Sequence, residues 1–319
     1  MSIHPYVYSI PMRTRFRGIT VRDGVLLRGA AGWGEFSPFW GYDVAESAAW
    51  LRAAREAADV GWPAGVRTRI PVNVTVPAVD AATAHRIVTA SGGCRTAKVK
   101  VAEPGQDVGD EIARLEAVRD ALGPGGAIRI DANGAWDVDT ALARLRVLDR
   151  AAGGLEYAEQ PVATVSELAV LRRGTHVPIA ADESIRRVED PMAVVRAEAA
   201  DIIVLKVQPL GGVRACLELA ERLALPVVVS SALETSVGLA AGIALAAALP
   251  SLPYACGLAT AQLLAGDVVT DPLLPVEGAI PVRRPVPDDG SLAAVAASRE
   301  VRAGWHERLA AVTSSGSSR

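Results

Sequence analysis

Six charged side chains stand at or near the ends of short apolar runs in this chain, and their types suggest proton chemistry beside a metal. Asp131 closes AIRID, Glu159 closes LEYAE and Asp182 follows PIAA, while Lys98 and Lys100 sit in TAKVKV and Lys206 in ADIIVLKV. Three carboxylates converging on one point cannot all stay ionised without a cation among them. Hard oxygen donors of this kind select Mg²⁺, with Mn²⁺ able to substitute, and waters and substrate complete the shell. Removing a proton beside a substrate carboxylate creates a second negative charge, which a bound cation and an ammonium group both stabilise. A lysine takes that proton if its pKa is lowered, and a neighbouring ammonium and partial burial both act in that direction. Lys98 beside Lys100 is such an arrangement, although Lys98 has an equal claim as a supporting partner of an acid. A lone strand-end acid ordinarily caps a helix or pairs with an arginine. Three in succession, flanked by lysines, need a different explanation.

The elements that must position these groups follow from their spacing. From Lys100 through Asp131, Glu159, Asp182 and Lys206 to Ser231 the intervals are 31, 28, 23, 24 and 25 residues. One βα unit takes roughly 30 residues, so successive strands each deliver one polar side chain at their C-terminal ends, where (β/α) barrels carry their active sites. The strand candidates are 70–76, 96–101, 127–133, 155–161, 178–184, 200–207 and 226–234, with a weaker eighth at 254–260. Amphipathic helices fall between them at Val108–Leu122, Val138–Arg150, Val165–Arg172 and Val213–Leu223. Continuous apolar strands alternating with helices predict a parallel sheet covered by helices, an α/β fold. An open doubly wound sheet would not readily bring five successive strand ends around one point, so the prediction is a (β/α)7β-type TIM barrel. Strand alternation then turns Lys98 and Lys100 inward and Val99 and Val101 outward, and places Lys206 on the face of Ile202 and Val204.

Residues 1–69 read as a separate α+β domain, 70–260 as the barrel, and 261–319 as a segment returning to the first domain. Strands are expected at Tyr6–Ile10 and Gly24–Arg28 with a turn at Asp23-Gly24. Asp43 reads as the N-cap of a helix running toward Asp59 and ended by Gly61-Trp62-Pro63. The Pro-rich stretch 271–287 leads to one short helix near 291–311, and 314–319 reads as a disordered tail.

With 33 basic against 36 acidic residues and half of the chain hydrophobic, the protein carries no nucleic-acid footprint. The first residues, MSIHPYVYSIPMRTRF, lack the apolar core of a signal peptide, and 237–249 is too short to span a bilayer. Cys94, Cys216 and Cys256 form neither a zinc pattern nor a disulfide framework, which fits a reduced cytoplasm. His4, His85, His176 and His306 fall off the strand-end pattern, so a histidine base is not expected. The outer helices suit a monomer and a homo-oligomer equally.

The runs KVK at 98–100, DANGAW at 131–136, EQP at 159–161, DES at 182–184 and LKVQPLGG at 205–212 resemble the enolase superfamily, and within it the muconate-lactonising-enzyme subgroup. They span the barrel in order, and GWGEFSPFWGYD at 32–43 extends the resemblance into the N-terminal capping domain. The short length, RFRGITVRDG at 15–24 and SSALETSVGL at 230–239 resemble the o-succinylbenzoate synthase family. That resemblance implies a lyase of menaquinone biosynthesis, acting on a small-molecule carboxylate, with a Lys base and Mg²⁺. It implies that Lys100 abstracts the α-proton of a cyclohexadiene carboxylate and then protonates the departing hydroxyl. Lys206 would stabilise the enediolate from across the ring, Asp131, Glu159 and Asp182 would hold Mg²⁺, and Glu183 would support them. Ser230 and Ser231 offer hydroxyls for the succinyl carboxylate, or simply form a strand-end turn. Of Arg13, Arg15 and Arg17, at most one is expected to touch substrate, and Arg17 is the one chosen. Trp33 and Trp40 either wall the site or pack.

Three other readings compete. The same lysine pair would serve an N-acylamino acid racemase or dipeptide epimerase, which needs a lysine on each face of the α-carbon. Lys206 could form a Schiff base as in barrel aldolases, though this leaves three acids without a purpose. A non-catalytic barrel is the third.

Overall fold

The computed structural model describes residues 5–16, 18–187 and 190–316. The chain begins with an antiparallel three-stranded sheet of β1 (Tyr6–Phe16), β2 (Ile19–Gly29) and β3 (Gly32–Phe36). Helix α1 (Val44–Arg55) packs on it. The carboxylate of Asp43 accepts from the Glu46 N–H and Glu46 reaches back to the Asp43 N–H, so a reciprocal capping box fixes its start. A π-helical turn, Glu56–Val60, continues the helix as far as Gly61, whose φ of +78° ends it.

The Asp23-Gly24 pair is not a turn. β2 runs straight through it, Gly24 faces Tyr8 across the ladder, and the β1–β2 connection falls after Phe16. Glycine is required here for close approach: a Cβ on Gly24 would lie 2.5 Å from the Tyr8 hydroxyl and 2.6 Å from Ser37 Cβ. The place where an aromatic ring crosses the neighbouring strand thus carries the same Asp-Gly dipeptide as a turn.

After β4 (Arg69–Pro71) come β5 (Val74–Val76), α2 (Ala81–Thr89), β6 (Thr96–Lys100), α3 (Val108–Leu122), β7 (Ala127–Asp131) and α4 (Val138–Ala152). Next are β8 (Tyr157–Glu159), α5 (Val165–Gly174), β9 (Ile179–Ala181), and the short α6 (Glu183–Arg186) and α7 (Met192–Arg196). Then follow β10 (Ile202–Leu205), α8 (Val207–Leu210), α9 (Val213–Leu223), β11 (Val227–Val229) and α10 (Ser236–Ala248). Strands β5 to β11 form one seven-stranded sheet in unbroken sequence order, and every pairing is parallel. The weak eighth strand is real but minimal. Cys256 bridges Val72 and Gly257 bridges Ser230, which closes the curled sheet.

Asp80, Asp107, Asp137 and Thr164 each receive an N–H of the first turn of α2, α3, α4 and α5, so each βα unit starts its helix with a side-chain cap. The valines and isoleucines of the strands' outer face pack against these helices in the largest core cluster. Burying each such side chain contributes about 1.5–3 kcal/mol. Inside the barrel a smaller cluster of Tyr157, Ala180, Ile202, Val204 and Val228 fills the floor.

The C-terminal segment returns to the first sheet. Met12 bridges Leu264, Tyr8 bridges Ala296, and β12 (Ala279–Pro281) pairs with β4. Two helices, not one, end the chain: α11 (Asp289–Ala294) and α12 (Arg299–Gly316). Ser314 and Ser315 are helical rather than part of a tail, because α12 continues past Val312, which is buried against the first domain. Residues 317–319 lie outside the described residues. Among the described residues no helix is long and apolar enough to cross a membrane.

Replacing Gly24 with alanine is expected to lower unfolding stability by about 1–3 kcal/mol, the usual penalty for overpacking a tight interior. Chemical denaturation measures it, and an unchanged midpoint would contradict the close approach described.

Candidate active site

Register builds the site. Thr75, Lys98, Arg129 and Tyr157 pair in turn across β5 to β8, and two residues further on Lys100, Asp131 and Glu159 do the same. With a period of two, the upper row sits above the lower on the same inward face. Asp182 follows β9, and Lys206 follows β10. The three acid-bearing strands therefore lie between the strands that bring Lys100 and Lys206, so these lysines face the mouth from opposite sides. Ala102, Asn133, Gln160 and Leu233, one or more residues past four of the strand ends, all have left-handed backbone, with φ between +39° and +66°. Such residues are strained and persist where surrounding contacts hold them. They turn the chain out of the sheet and leave the preceding side chains aimed at the mouth.

All six predicted charged residues meet there, each less than a tenth exposed. Lys98 Nζ donates to Asp131 Oδ2 at 3.1 Å and to Glu159 Oε1 at 3.0 Å. Lys100 Nζ donates to the same Asp131 oxygen at 2.5 Å and to Asn133 Oδ1 at 2.6 Å. Lys206 Nζ donates to Asp182 Oδ2. Arg186 adds a bond to Asp182 Oδ1 at 2.9 Å and reaches Glu183 and the Tyr42 hydroxyl of the first domain. Glu183 in turn accepts from Asn133 Nδ2 at 3.3 Å, so it supports the cluster from its edge.

The balance of burial against charge differs from one acid to the next. Burial pushes Asp131 up, but Lys100 and Lys98 outweigh it and hold the carboxyl well below its usual range. Asp182 is likewise driven up by burial and brought down by Arg186 and Lys206. Glu159 is pushed up to about 7 by burial and by the neighbouring Asp131 charge, against the pull of Lys98. Burial lowers Lys98, yet Glu159 and Asp131 more than compensate and raise it. Lys98 is thus a standing ammonium that supports the acids.

Among the described residues no three His, Cys, Asp or Glu donors are gathered closely enough to hold one ion as the side chains stand. The reason is the pairing itself: Lys98 lies between Asp131 and Glu159, and Lys206 and Arg186 occupy Asp182. The donor chemistry nonetheless fits a hard divalent cation. Three buried carboxylates end three neighbouring strands, and burial together with the Asp131 charge holds Glu159 up despite Lys98, an arrangement that further positive charge would relieve.

A narrow cavity opens on this cluster. Its walls include Lys98, Lys100, Asp131 and Lys206, together with Ser230, Ser231, Leu233 and Thr260. Ser231 Oγ lies 2.6 Å from Thr260 Oγ1. Phe16, from β1, closes the top with its ring 5.5 Å from Lys100 Nζ. Phe16 and Lys100 also border a second cleft that Arg15 lines, whereas Arg13 is turned away onto the Leu264 carbonyl. Arg17 and His4 lie outside the described residues. Trp40 lines a third cleft with Tyr42, Asn133 and Glu183, and Trp33 stacks beneath Arg28 instead. Sequence reasoning missed Phe16, Leu233, Asn133 and Arg186. For Arg186 a signal existed, since it stands one helical turn after Asp182; Asn133 lay inside a quoted motif without a role.

Beside the cavity a second acid pair is buried between the first sheet and α10. Glu35 accepts from the Tyr8 hydroxyl at 2.7 Å and from the Thr235 and Gly238 N–H groups at 3.1 Å, capping α10 from the other domain. Glu234 accepts from the Ala232 N–H at 2.8 Å. Burial, reinforced by Glu35, pushes Glu234 up to about 7.

Family models for an enolase N-terminal domain-like region and an enolase C-terminal domain-like region match residues 7–58 and 80–289. The chain is 66% identical over 304 residues to an o-succinylbenzoate synthase of Thermobifida fusca, covering 95% of this chain and 94% of that one. It is 53% identical to that of Mycolicibacterium smegmatis, covering 96% and 94%. Among solved structures, the muconate lactonizing enzyme of Pseudomonas fluorescens superposes with a TM-score of 0.79 over 93% of this chain and 98% of that one, at 22% identity. The L-Ala-D/L-Glu epimerase of Bacillus subtilis gives 0.74 over 90% and 97%, at 23% identity. These two likenesses are of fold.

Because the folded Glu234 holds its proton to about pH 7 while an unfolded glutamate loses it near 4.5, its contribution is complete below about 4.5 and lost as pH rises through 7. The shift corresponds to roughly 3 kcal/mol at most. Glu234→Gln keeps the acceptor for Ala232 and is expected to flatten the fall in stability between pH 5 and 8, leaving the share due to Glu159. Denaturation midpoints across that range measure it, and an equal slope in both proteins would refute the assignment.

Proposed function

The chain belongs to the enolase superfamily, in its muconate-lactonising-enzyme subgroup, and on that premise we propose that its strand-end lysines dehydrate 2-succinyl-6-hydroxy-2,4-cyclohexadiene-1-carboxylate to 2-succinylbenzoate. It is an enzyme, a carbon–oxygen lyase of the o-succinylbenzoate synthase type. The observation that supports this mechanism most is that Lys100, Lys206 and Asp131 line one cavity, with the strands that carry the three buried carboxylates lying between those of the two lysines. The reading assigns residues 1–69 with 261–319 to the cap and 70–260 to the barrel, and places the reaction in the cytoplasm, in menaquinone biosynthesis.

Lys100, in its neutral form, takes the proton from the carbon that bears the ring carboxylate. The electrons of that C–H bond move into the carboxylate as an enediolate, and the Lys206 ammonium offsets the added charge from the other side. Lys100, now an ammonium, returns the proton to the hydroxyl on the same face, which leaves as water while the ring becomes aromatic. One base thus serves both halves of a syn elimination. Asp131, Glu159 and Asp182 are the residues that would hold a divalent cation, Mg²⁺ or Mn²⁺ in its place, which supplies positive charge against the substrate carboxylate. Lys98 keeps Asp131 and Glu159 oriented, holds Asp131 ionised and opposes the rise that burial imposes on Glu159. Ser230, Ser231 and Arg17 are assigned to the succinyl carboxylate, and Phe16 excludes water above Lys100.

Incubation with Mg²⁺ and the cyclohexadiene substrate is expected to give an ultraviolet change as the ring aromatises, abolished by EDTA. Lys100→Ala and Lys206→Ala should each lower kcat by about 10³ or more. No turnover, with α-proton exchange in D₂O on N-acylamino acids or dipeptides, would move the reading to a racemase or epimerase. Independently of activity, calorimetric titration with Mn²⁺ should show one saturable site, weakened about tenfold or more by Asp131→Asn or Asp182→Asn. Identical isotherms in all three proteins would remove these residues from the metal site.

A further inference from the structure

Arg22 belongs to β2, in the first sheet, but its guanidinium reaches into the barrel. Nε donates to the Leu233 carbonyl at 3.0 Å and Nη2 to the Ala232 carbonyl at 3.2 Å, both on the segment that follows β11. The remaining donors anchor it at home, on the Asp23 carbonyl at 3.2 Å, on Ser37 Oγ at 3.0 Å and on the Ser37 carbonyl. The guanidinium also lies over the Phe39 ring, 4.7 Å from its centroid, and the residue is buried. An arginine so fully engaged, with donors split between two domains, acts as a rigid clamp.

What it clamps is the strained part of the cavity wall. Leu233 has φ +66°, a left-handed conformation that a branched side chain adopts only when its surroundings impose it. That turn carries the Leu233 side chain onto Phe16 and Leu263, and Phe16 is the ring over Lys100. The same segment continues backward to Ser230 and Ser231. From its other end, Glu35 of the first sheet holds the Thr235 N–H. The peptide between is therefore gripped by one domain at its carbonyls and at its following amide, and Arg22 holds the left-handed residue by its carbonyl.

We propose that Arg22 is a positioning residue for substrate binding: by holding the Ala232 and Leu233 carbonyls it keeps Leu233 against Phe16 and fixes the wall that closes over the substrate beside Lys100. Arg22 touches none of the reacting groups, so its loss weakens binding while leaving proton transfer by Lys100 intact. The kinetic part of the proposal rests on the dehydratase reading above; the structural part does not.

The test compares the full-length protein with Arg22→Met, which keeps the bulk and loses the donors, and Arg22→Lys, which keeps the charge and one point of contact. Hydrogen–deuterium exchange of peptides covering 230–235 should rise about tenfold or more in Arg22→Met, with β6 to β8 as protected as before. KM for the cyclohexadiene carboxylate should rise about tenfold with kcat within about threefold, and Arg22→Lys should fall between. Unchanged exchange at 230–235, a uniform rise over every peptide, or a fall in kcat at constant KM would each overturn the proposal. Should Arg22→Met fail to fold, Arg22→Lys carries the same comparison. If the unaltered protein does not turn over the substrate, the dehydratase reading fails, and the exchange result still decides whether Arg22 holds the segment.

Discussion

Lysine ammonium groups tolerate the inside of a barrel only while carboxylates surround them, and the reverse holds for the carboxylates. Lys98, Lys100, Lys206 and Arg186 interleave with Asp131, Glu159, Asp182 and Glu183 so that each charge has an opposite neighbour. Taking such charges out of water costs several kcal/mol per ion, and their mutual attraction only roughly repays it. The cluster is therefore weak as a source of stability. Its stability must come from the apolar layer between strands and helices, which also holds the strand ends in register. This division of labour explains why the outer face of the sheet is monotonously aliphatic while the inner face near the mouth is almost wholly polar.

The same interleaving makes the site responsive. A base that has to take a proton cannot remain locked to a carboxylate, and a cation entering the mouth competes with the lysines for the same oxygens. Asp131 shows this most clearly, since one of its oxygens accepts from both Lys98 and Lys100. Any change at that oxygen is felt by both lysines at once. Glu159, which burial and Asp131 already push toward neutrality, is the member of the set that gains most from added positive charge.

Local pattern carried much of this into view and then stopped. Strand-end acids at a regular pitch, and lysines two apart in a strand, are readable because alternation and the βα repeat translate position directly into direction. Contacts from distant parts of the chain are not readable in that way. Phe16 over Lys100, and Arg22 on Leu233, join residues 84 and 211 positions apart, and nothing in their immediate neighbours marks them. Gly24 misled for a related reason: the Asp-Gly pair carries a strong turn signal, and the Tyr8 ring that demands a glycine there lies on another strand. The C-terminal helices were merged because the break between α11 and α12 is set by Val295 and Ala297 packing onto β1, not by a breaker residue.

The way β1 is completed has a consequence for how the molecule comes into being. Its partners beyond β2 are Leu264, Val295 and Ala297, made at the other end of the chain. At roughly 5–20 residues per second, synthesis of the intervening stretch takes on the order of 10–60 s, during which β1 has β2 and the α1 face but lacks these partners along its other edge. The barrel meets the same delay, since Val72 and Asn73 wait for Cys256. Long-range closure of this kind slows folding and leaves unpaired strand edges exposed in the meantime. Until the C-terminal segment emerges, the free edge of β1 is thus open to pairing with other chains.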